Sequence, residues 1–191
     1  MGKALLINGS PHLNGPTVNI MKMIEDKIVK TYTSEWANTY ELNIKPCIGC
    51  FKCRPNSECV LKQDDSHLVG KKITETDLLI IGSPVYWGNI TAPLKMLFDR
   101  NVTTFVHFLE GREKPKLNGK KGIIIVTGGT GPEGYMQINQ GGGAIQAIKT
   151  VLDSGGIKLI GVLNIHSSWK IEDRKKEILD LISKIKIDEE E

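Results

Sequence analysis

Residues 77–82 read DLLIIG, a run of branched apolar residues with no alternation of polar and apolar positions. Continuous apolar runs of this length are typical of strands that are covered on both faces of a sheet. Residues 122–126 (GIIIV) and 157–165 (IKLIGVLNI) have the same character, and residues 3–9 (KALLING) form a similar run that ends in turn residues. The sequence therefore predicts a sheet with helices packed on both faces.

Segments with helical spacing of apolar residues separate these predicted strands. The predicted helices cover Val18–Thr31, a segment from Asp64 or Asp65 to Thr74, Thr91–Arg100, Gly143–Ser154 and Ile171–Ile187. Thr39–Leu42 is the candidate for the second strand. Because strand and helix alternate throughout, we predict one α/β domain over residues 1–191. Its fold class is a flavodoxin-like, doubly wound, five-stranded parallel sheet of order 2-1-3-4-5 with helices on both faces.

The composition is that of a folded globular protein, with 191 residues, 40% hydrophobic and 25% charged. The net charge of +3 is small and the basic residues are spread along the chain, which disfavours a nucleic-acid-binding arm. The chain starts with MGKALLINGS, which has neither the apolar core nor the cleavage site of a secretory signal. No run of about 20 apolar residues is present. We therefore expect a cytoplasmic protein that binds neither nucleic acid nor membrane.

Ligands of open parallel sheets bind beyond the carboxyl ends of the strands, where the strand order reverses. The loop after the first predicted strand reads GSPHLNGPT over residues 9–17 and leads directly into a helix. Its amides and hydroxyls could surround a phosphate at the helix N-terminus, and the alternative is a tight turn with Thr17 as the helix cap. It is neither a Walker loop nor GxGxxG, so nucleoside triphosphates and the usual mode of dinucleotide binding lose support.

Two adjacent aromatic residues follow the third predicted strand, in the loop SPVYWGN at residues 83–89. A flat ring system could pack against Tyr86 or Trp87 while Asn89 and backbone groups bind its polar edge. Alternatively, both aromatic side chains pack on a helix or at a subunit interface.

Glycine is abundant after the fourth predicted strand, in TGGTGPEG at residues 127–134 and again at 141–143. Glycine permits close approach of the backbone to a ligand, and it equally permits simple flexibility. Three loops of this kind at one edge of a sheet predict a phosphate pocket beside a flat-ring pocket, as a mononucleotide such as FMN requires.

The three loops resemble those of the NADPH-dependent FMN reductase group of flavodoxin-like proteins. Residues 83–100, SPVYWGNITAPLKMLFDR, carry most of the resemblance. A compact four-cysteine motif, PCIGCFKCRPNSEC at residues 46–59, narrows it to the iron-sulfur flavoprotein branch. The resemblance covers nearly the whole chain and implies non-covalently bound FMN.

The residues implied to bind FMN follow by position in these motifs. The phosphate would be held by Ser10, His12, Asn14, Gly15, Pro16 and Thr17. The isoalloxazine ring would be held by Pro84, Val85, Tyr86, Trp87, Gly88 and Asn89, with Thr127, Gly128 and Gly129 as further contacts. His12 stands where relatives often have Arg or Lys, so amides and hydroxyls would meet most of the phosphate charge here.

All four cysteines of the chain lie in one loop at residues 46–63, with the pattern CxxCxxCxxxxxC. They are Cys47, Cys50, Cys53 and Cys59. Thiols at this spacing can turn inward around one [4Fe-4S] cluster, which is the favoured ligand. Structural zinc, disulfides and a loop that holds no cluster are the alternatives.

The resemblance implies an FMN-dependent oxidoreductase that passes electrons from a reduced carrier such as ferredoxin to a small acceptor such as a quinone, dioxygen or a peroxide. The cofactors would supply the chemistry, so no side chain is predicted to be a catalytic acid or base. Relatives form dimers or tetramers, so a homodimer or homotetramer is expected. The alternatives are an NAD(P)H-dependent FMN or quinone reductase without a cluster, and a non-catalytic thiol redox sensor.

Overall fold

The apolar runs form strands in the structure, a computed structural model that describes residues 1–56, 59–109, 112–133 and 139–187. The strands are β1 (Gly2–Asn8), β2 (Tyr32–Asn38), β3 (Leu78–Pro84), β4 (Val106–Leu109), β5 (Arg112–Pro115), β6 (Lys121–Thr127) and β7 (Lys158–Ile165). The helices are α1 (Pro16–Ile28), α2 (Cys53–Asn56), α3 (Asp65–Glu75), α4 (Ala92–Arg100), α5 (Val102–Phe105), α6 (Gln140–Gly155) and α7 (Lys175–Ser183). A 3-10 turn at Ser168–Lys170 precedes α7.

Five of the strands form one parallel sheet in the order β2-β1-β3-β6-β7. Counted along this sheet alone, the order is 2-1-3-4-5, so the predicted fold class is confirmed. β1 lies between β2 and β3, and its Leu6 is opposite Trp36 on one side and Ile80 on the other. Because the strands are parallel, their carboxyl ends share one edge of the sheet. The segments at that edge, called the switch-point loops below, are residues 9–17, 83–91 and 127–131.

Two apolar cores lie on opposite faces of the sheet, and successive side chains of each central strand enter them in turn. In β1, Leu5 and Ile7 enter one core while Ala4 and Leu6 enter the other. The first core is closed by α3, α4 and α6, and the second by α1 and α7. All four of these β1 side chains are at most 2% exposed. A strand covered on both faces needs no polar positions, which explains the continuous apolar runs.

The second strand differs from the prediction, because Thr39–Leu42 is not a strand. β2 instead has the sequence YTSEWAN, in which most positions are half-exposed or exposed. As the edge strand it is partly solvated, so it lacks the apolar run on which the prediction depends. Residues 39–41 form the turn that follows it.

Two further segments depart from the sequence pattern. β4 and β5 form an antiparallel hairpin outside the main sheet, and β5 (REKP) is exposed throughout, so it carries no apolar signal. The last predicted helix, Ile171–Ile187, is shortened to α7 because turns occupy residues 171–174. Within the described ranges, no helix is long and apolar enough to cross a bilayer.

Candidate functional site

Three hydrogen bonds tie the switch-point loops to one another. The hydroxyl oxygens of Thr17 and Thr127 are 2.7 Å apart and buried. The Thr91 hydroxyl donates to the Gly9 carbonyl at 2.7 Å. The Val85 amide donates to the Thr127 carbonyl at 2.8 Å. The structure therefore brings the three predicted loops together, and it adds Thr91 as a residue that the sequence did not single out.

The first switch-point loop is held open by its own polar groups. Buried Asn8 accepts the Ser10 amide at 2.8 Å, and the Ser10 hydroxyl accepts the His12 amide at 3.1 Å. Gly15 is the N-cap of α1, and no side chain caps the helix, so the alternative that Thr17 is the cap is wrong. The first amides of α1 are left for a ligand, beside buried Ser10 and Thr17.

The predicted phosphate residues differ in exposure. Ser10 and Thr17 are buried, Gly15 and Pro16 are half-buried at the start of α1, and His12 and Asn14 are exposed. The hydroxyls are thus at the floor of this loop, and the imidazole and the amide side chain lie at its rim.

The second switch-point loop is a tight turn that presents an aromatic side chain. The backbones of Tyr86 and Asn89 exchange two hydrogen bonds of 2.9 and 3.0 Å, and Trp87 and Gly88 between them have φ of 51° and 76°. A left-handed backbone at a non-glycine residue costs roughly 1–2 kcal/mol. The Trp87 side chain is nevertheless fully exposed, so it does not pack on a helix of its own chain. A strained turn with an exposed ring is typical of a binding site.

Asn89 has a structural role in this turn, since its Oδ1 accepts the Ile90 amide at 2.8 Å. Its side chain is exposed at the same time. The predicted contact between Asn89 and the polar edge of a ring therefore rests on the remaining donor, the side-chain NH₂.

Glycines make close backbone contacts in the third switch-point loop and at the start of α6. The Gly128 amide donates to the Ile165 carbonyl at 2.8 Å, and Trp169 Nε1 donates to the Gly129 carbonyl at 3.0 Å. A Cβ at Gly143, in the first turn of α6, would lie 2.1 Å from the Gly88 carbonyl oxygen. Gly143 is thus needed for close backbone packing against the Trp87 turn. Gly134 of the predicted loop lies outside the described residues.

The four cysteines face a single hollow between their loop and α4. The cysteine hollow is lined by Cys47, Cys50, Cys53 and Cys59, by apolar side chains that include Ile48, Phe51, Val60 and Leu61, and by Arg100. All four thiols are free in this structure. The hollow measures about 30 Å³.

The thiols are gathered but are not in a ligating arrangement. Across the part of the chain that the structure describes, no three His, Cys, Asp or Glu side chains are arranged to hold one metal ion. Burial raises the pKa of the Cys53 thiol, and the nearby thiols of Cys59, Cys47 and Cys50 raise it further. The donor set of four thiols with an apolar rim fits an iron-sulfur cluster, while residues 57–58 of the loop lie outside the described residues.

The cysteine loop has its own backbone strain and one stacked cation. Gly49 and Phe51 have φ of 64° and 57°, and the Gly49 amide donates to Cys47 Sγ at 3.5 Å. The Arg54 guanidinium lies 4.5 Å from the ring centre of Phe51 and 5.2 Å from that of Phe108 in β4. The unpredicted β4–β5 hairpin therefore supports this loop from the side.

A buried ion pair, which the sequence did not reveal, anchors the base of the cysteine loop. Asp64 caps α3 and accepts Arg100 Nη1 at 2.5 Å and the Lys45 amide at 3.2 Å. Burial acts to raise the pKa of Asp64, but hydrogen bonds from the Ser66 hydroxyl, Arg100 and two backbone amides outweigh it and hold the pKa well below its usual range. His67 accepts the Asp64 amide through Nδ1 at 3.1 Å, which completes a capping box.

Comparison with known proteins gives matches of two kinds. The family model described as NADPH-dependent FMN reductase matches residues 3–142. An iron-sulfur flavoprotein of Clostridioides difficile is 28% identical over 184 residues, which cover 94% of this chain and 74% of the relative. An iron-sulfur flavoprotein of Methanocaldococcus jannaschii is 35% identical over 100 residues, so the chain matches only 51% of that relative's length and 52% of its own.

A solved structure supports the fold alone. The crystal structure of a Streptococcus mutans protein has a TM-score of 0.76 and 21% sequence identity, and the match covers 95% of this chain and 97% of that chain. The flavodoxin-like arrangement of the sheet is therefore shared with this protein.

Proposed function

Because the chain belongs to the NADPH-dependent FMN reductase family, it is a flavoprotein oxidoreductase, and we propose that it is an electron-transfer protein that carries both FMN and a [4Fe-4S] cluster. It is homologous to iron-sulfur flavoproteins. The observation that carries the cluster is that all four cysteines of the chain line one hollow. The chemistry that the bound groups supply is exchange of electrons, one at a time through a cluster and one or two at a time through a flavin.

The proposed FMN site is the set of switch-point loops. Support for the phosphate position comes from the uncapped start of α1 next to buried Ser10 and Thr17. Support for the ring position comes from the exposed Tyr86 and Trp87 in the tight turn between β3 and α4. His12 is exposed at the rim and would add positive charge only when protonated.

The chain's own residues contribute orientation rather than proton transfer in this proposal. The threonines at 17, 91 and 127 hold the loops at fixed separations, so the flavin would meet a site formed before binding. Preformed contacts lower the entropy lost on binding and fix the ring relative to the sheet. The cysteine loop would hold the cluster next to the end of α4.

The proposed donor is a reduced small carrier such as ferredoxin, and the proposed acceptor is a small molecule such as a quinone, dioxygen or a peroxide. A homodimer or homotetramer is also proposed. It is supported by the exposure of Trp87 (105%) and Trp169 (67%), since aromatic surface of this size is usually covered by a ligand or a second subunit. Light scattering of the purified protein gives the oligomeric state directly.

A second candidate is an NAD(P)H-dependent FMN or quinone reductase whose cysteines hold no cluster. One observation favours it: the described residues contain no preformed metal-ligand group. In this case NAD(P)H would reduce the flavin directly, and the four thiols would remain free or hold zinc.

Anaerobic purification followed by an absorption spectrum and by iron, sulfide, zinc and flavin analysis separates the two candidates. The proposed function predicts one FMN and about four iron and four sulfide per chain. Flavin bands without iron, together with reduction of the flavin by NAD(P)H, support the plain reductase instead.

A further inference from the structure

Arg100, at the end of α4, is a buried cation with unused hydrogen-bond donors. Its side chain is 0% exposed. Nη1 donates to the Lys45 carbonyl at 2.6 Å and to Asp64 Oδ2 at 2.5 Å. Nε and Nη2, which together carry three N–H groups, are buried and have no acceptor among the described residues.

Buried donors of this kind are rare in folded proteins and point to a missing acceptor. Arg100 lines the cysteine hollow together with all four thiols. Asp99 also lines the hollow, and it is already paired with Lys95. The cysteine sulfurs are the largest group of acceptors that line the hollow beside Arg100, and they become strong acceptors as thiolates.

The ion pair with Asp64 does not account for the whole side chain. Asp64 engages only Nη1, and its other oxygen accepts from Ser66 at the start of α3. The carboxylate thus fixes the plane of the guanidinium while Nε and Nη2 are left for another partner. A cation held in this way is preorganised, so it loses little entropy when an acceptor arrives.

We propose that Arg100 is a positioning residue of the cysteine centre, whose Nε and Nη2 groups donate to the sulfur atoms that surround the cluster. The inference rests on the proposed cluster. Four thiolates concentrate negative charge, and reduction of the cluster adds one electron to it. A buried guanidinium and its hydrogen bonds favour that more negative state, so they raise the reduction potential and slow the loss of metal.

The test compares Arg100→Met with wild type after anaerobic purification. Iron content is measured first, and the midpoint potential is then determined by an optical and paramagnetic-resonance titration. The equilibrium constant for cluster reduction is expected to fall about tenfold in the variant, which for a one-electron couple is a shift of about 59 mV to lower potential. Iron transfer to a chelator is expected to be about tenfold faster.

Three further variants complete the experiment. Arg100→Lys keeps the charge but lacks the planar fork, so its potential should lie between those of wild type and Arg100→Met. The double variant Asp64→Asn/Arg100→Met removes both charges together and supplies the measurement if the single variant does not fold. Lys62→Met removes an exposed cation close to the cysteines in sequence but outside the lining of the hollow, and it should leave the potential unchanged.

Failure of the proposed function and failure of the inference about Arg100 give different results. An iron-free wild-type protein overturns both the proposed function and this inference. An iron-loaded wild type whose potential and iron-release rate equal those of Arg100→Met and of the double variant overturns the inference alone, and it leaves Arg100 as a purely structural partner of Asp64.

Discussion

The switch-point loops and the cysteine loop are built in opposite ways. The first are joined by buried hydrogen bonds, such as that between Thr17 and Thr127, and their backbones follow directly from the central strands. The cysteine loop runs through exposed residues, and two of its four thiols, Cys47 and Cys50, are exposed. Its firm anchor is at its base, where Arg100 pairs with Asp64.

This difference shows which site the fold alone creates. The switch-point loops, called the flavin edge below because FMN is proposed to bind there, are complete as a consequence of strand order and of residues that pack in the core, so they should persist whatever the cysteine loop holds. The cysteine hollow collects its four donors but does not place them in a ligating arrangement, so its working shape depends on the ligand. The predictions below test this separation, beginning with the largest expected effect.

Removal of one thiol should empty the cysteine loop without affecting the flavin edge. In Cys50→Ser, iron is expected to fall from about four per chain to nearly none, because a cluster of this type needs four thiolates. FMN content should remain that of wild type. Iron and flavin analysis of the same sample checks both, with Lys52→Ala in the same loop as the control that keeps its iron. Loss of FMN along with iron would show that the sites are not separate.

A substitution that disturbs the flavin edge should weaken FMN binding. A methyl group in Gly143→Ala would meet the Gly88 carbonyl, which is backbone and cannot turn aside. We expect FMN affinity to fall at least tenfold and stability to fall by about 1–3 kcal/mol. A fluorescence titration with FMN measures the affinity. Gln146→Ala, at an exposed position of the same helix and outside the switch-point loops, is the control, and equal affinities in the two variants would contradict the packing role of Gly143.

The stability that ionised Asp64 contributes at the base of the cysteine loop should decrease at low pH. The pKa of Asp64 is lowered in the folded protein from its ordinary value of 3.8, so its contribution to stability is complete above that value and is lost as the pH falls below it. Asp64→Asn should therefore lower stability by about 1.5–3 kcal/mol at pH 5 to 7, and the gap from wild type should narrow below pH 4.

Urea unfolding at several pH values measures the difference in stability between wild type and Asp64→Asn. Asp26→Asn, at an exposed position on α1, should stay within about 0.5 kcal/mol of wild type. A gap between wild type and Asp64→Asn that does not change between pH 3 and pH 7 would contradict the assignment of the anchor to the ionised carboxylate.

The smallest expected effect concerns the hydrogen bond between the first and third switch-point loops. Thr17→Val leaves the buried Thr127 hydroxyl without its partner, so stability should fall by about 1–2 kcal/mol and FMN should bind less tightly. Thr33→Val, which alters an exposed hydroxyl on β2, should change neither. Unchanged FMN affinity in Thr17→Val would place the phosphate elsewhere.

Much of the fold and the position of the switch-point loops could be predicted from the sequence. Continuous apolar runs reveal the central strands, and the rule that ligands bind at the carboxyl ends of parallel strands then selects the loops. The edge strand was misplaced because Tyr32–Asn38 is partly solvated and lacks such a run. The β4–β5 hairpin escaped prediction for a similar reason, since Arg112–Pro115 is exposed throughout.

The interactions that shape both sites could not be predicted, because they join residues far apart in sequence. Thr91 and Gly9 are separated by 82 positions, and Arg100 and Asp64 by 36. Arg100 looks like an ordinary basic residue in the last turn of a helix. Only its complete burial and its unpaired donors distinguish it, and both depend on tertiary packing.

The separation of the two sites is tested most directly by hydrogen–deuterium exchange on the anaerobically purified protein before and after a chelator removes its iron. Our account predicts faster exchange in peptides that cover residues 46–61 after iron is lost, and unchanged exchange in peptides that cover residues 83–91. A protein that carries no iron to remove, or one in which the exchange of residues 46–61 does not change, would contradict it.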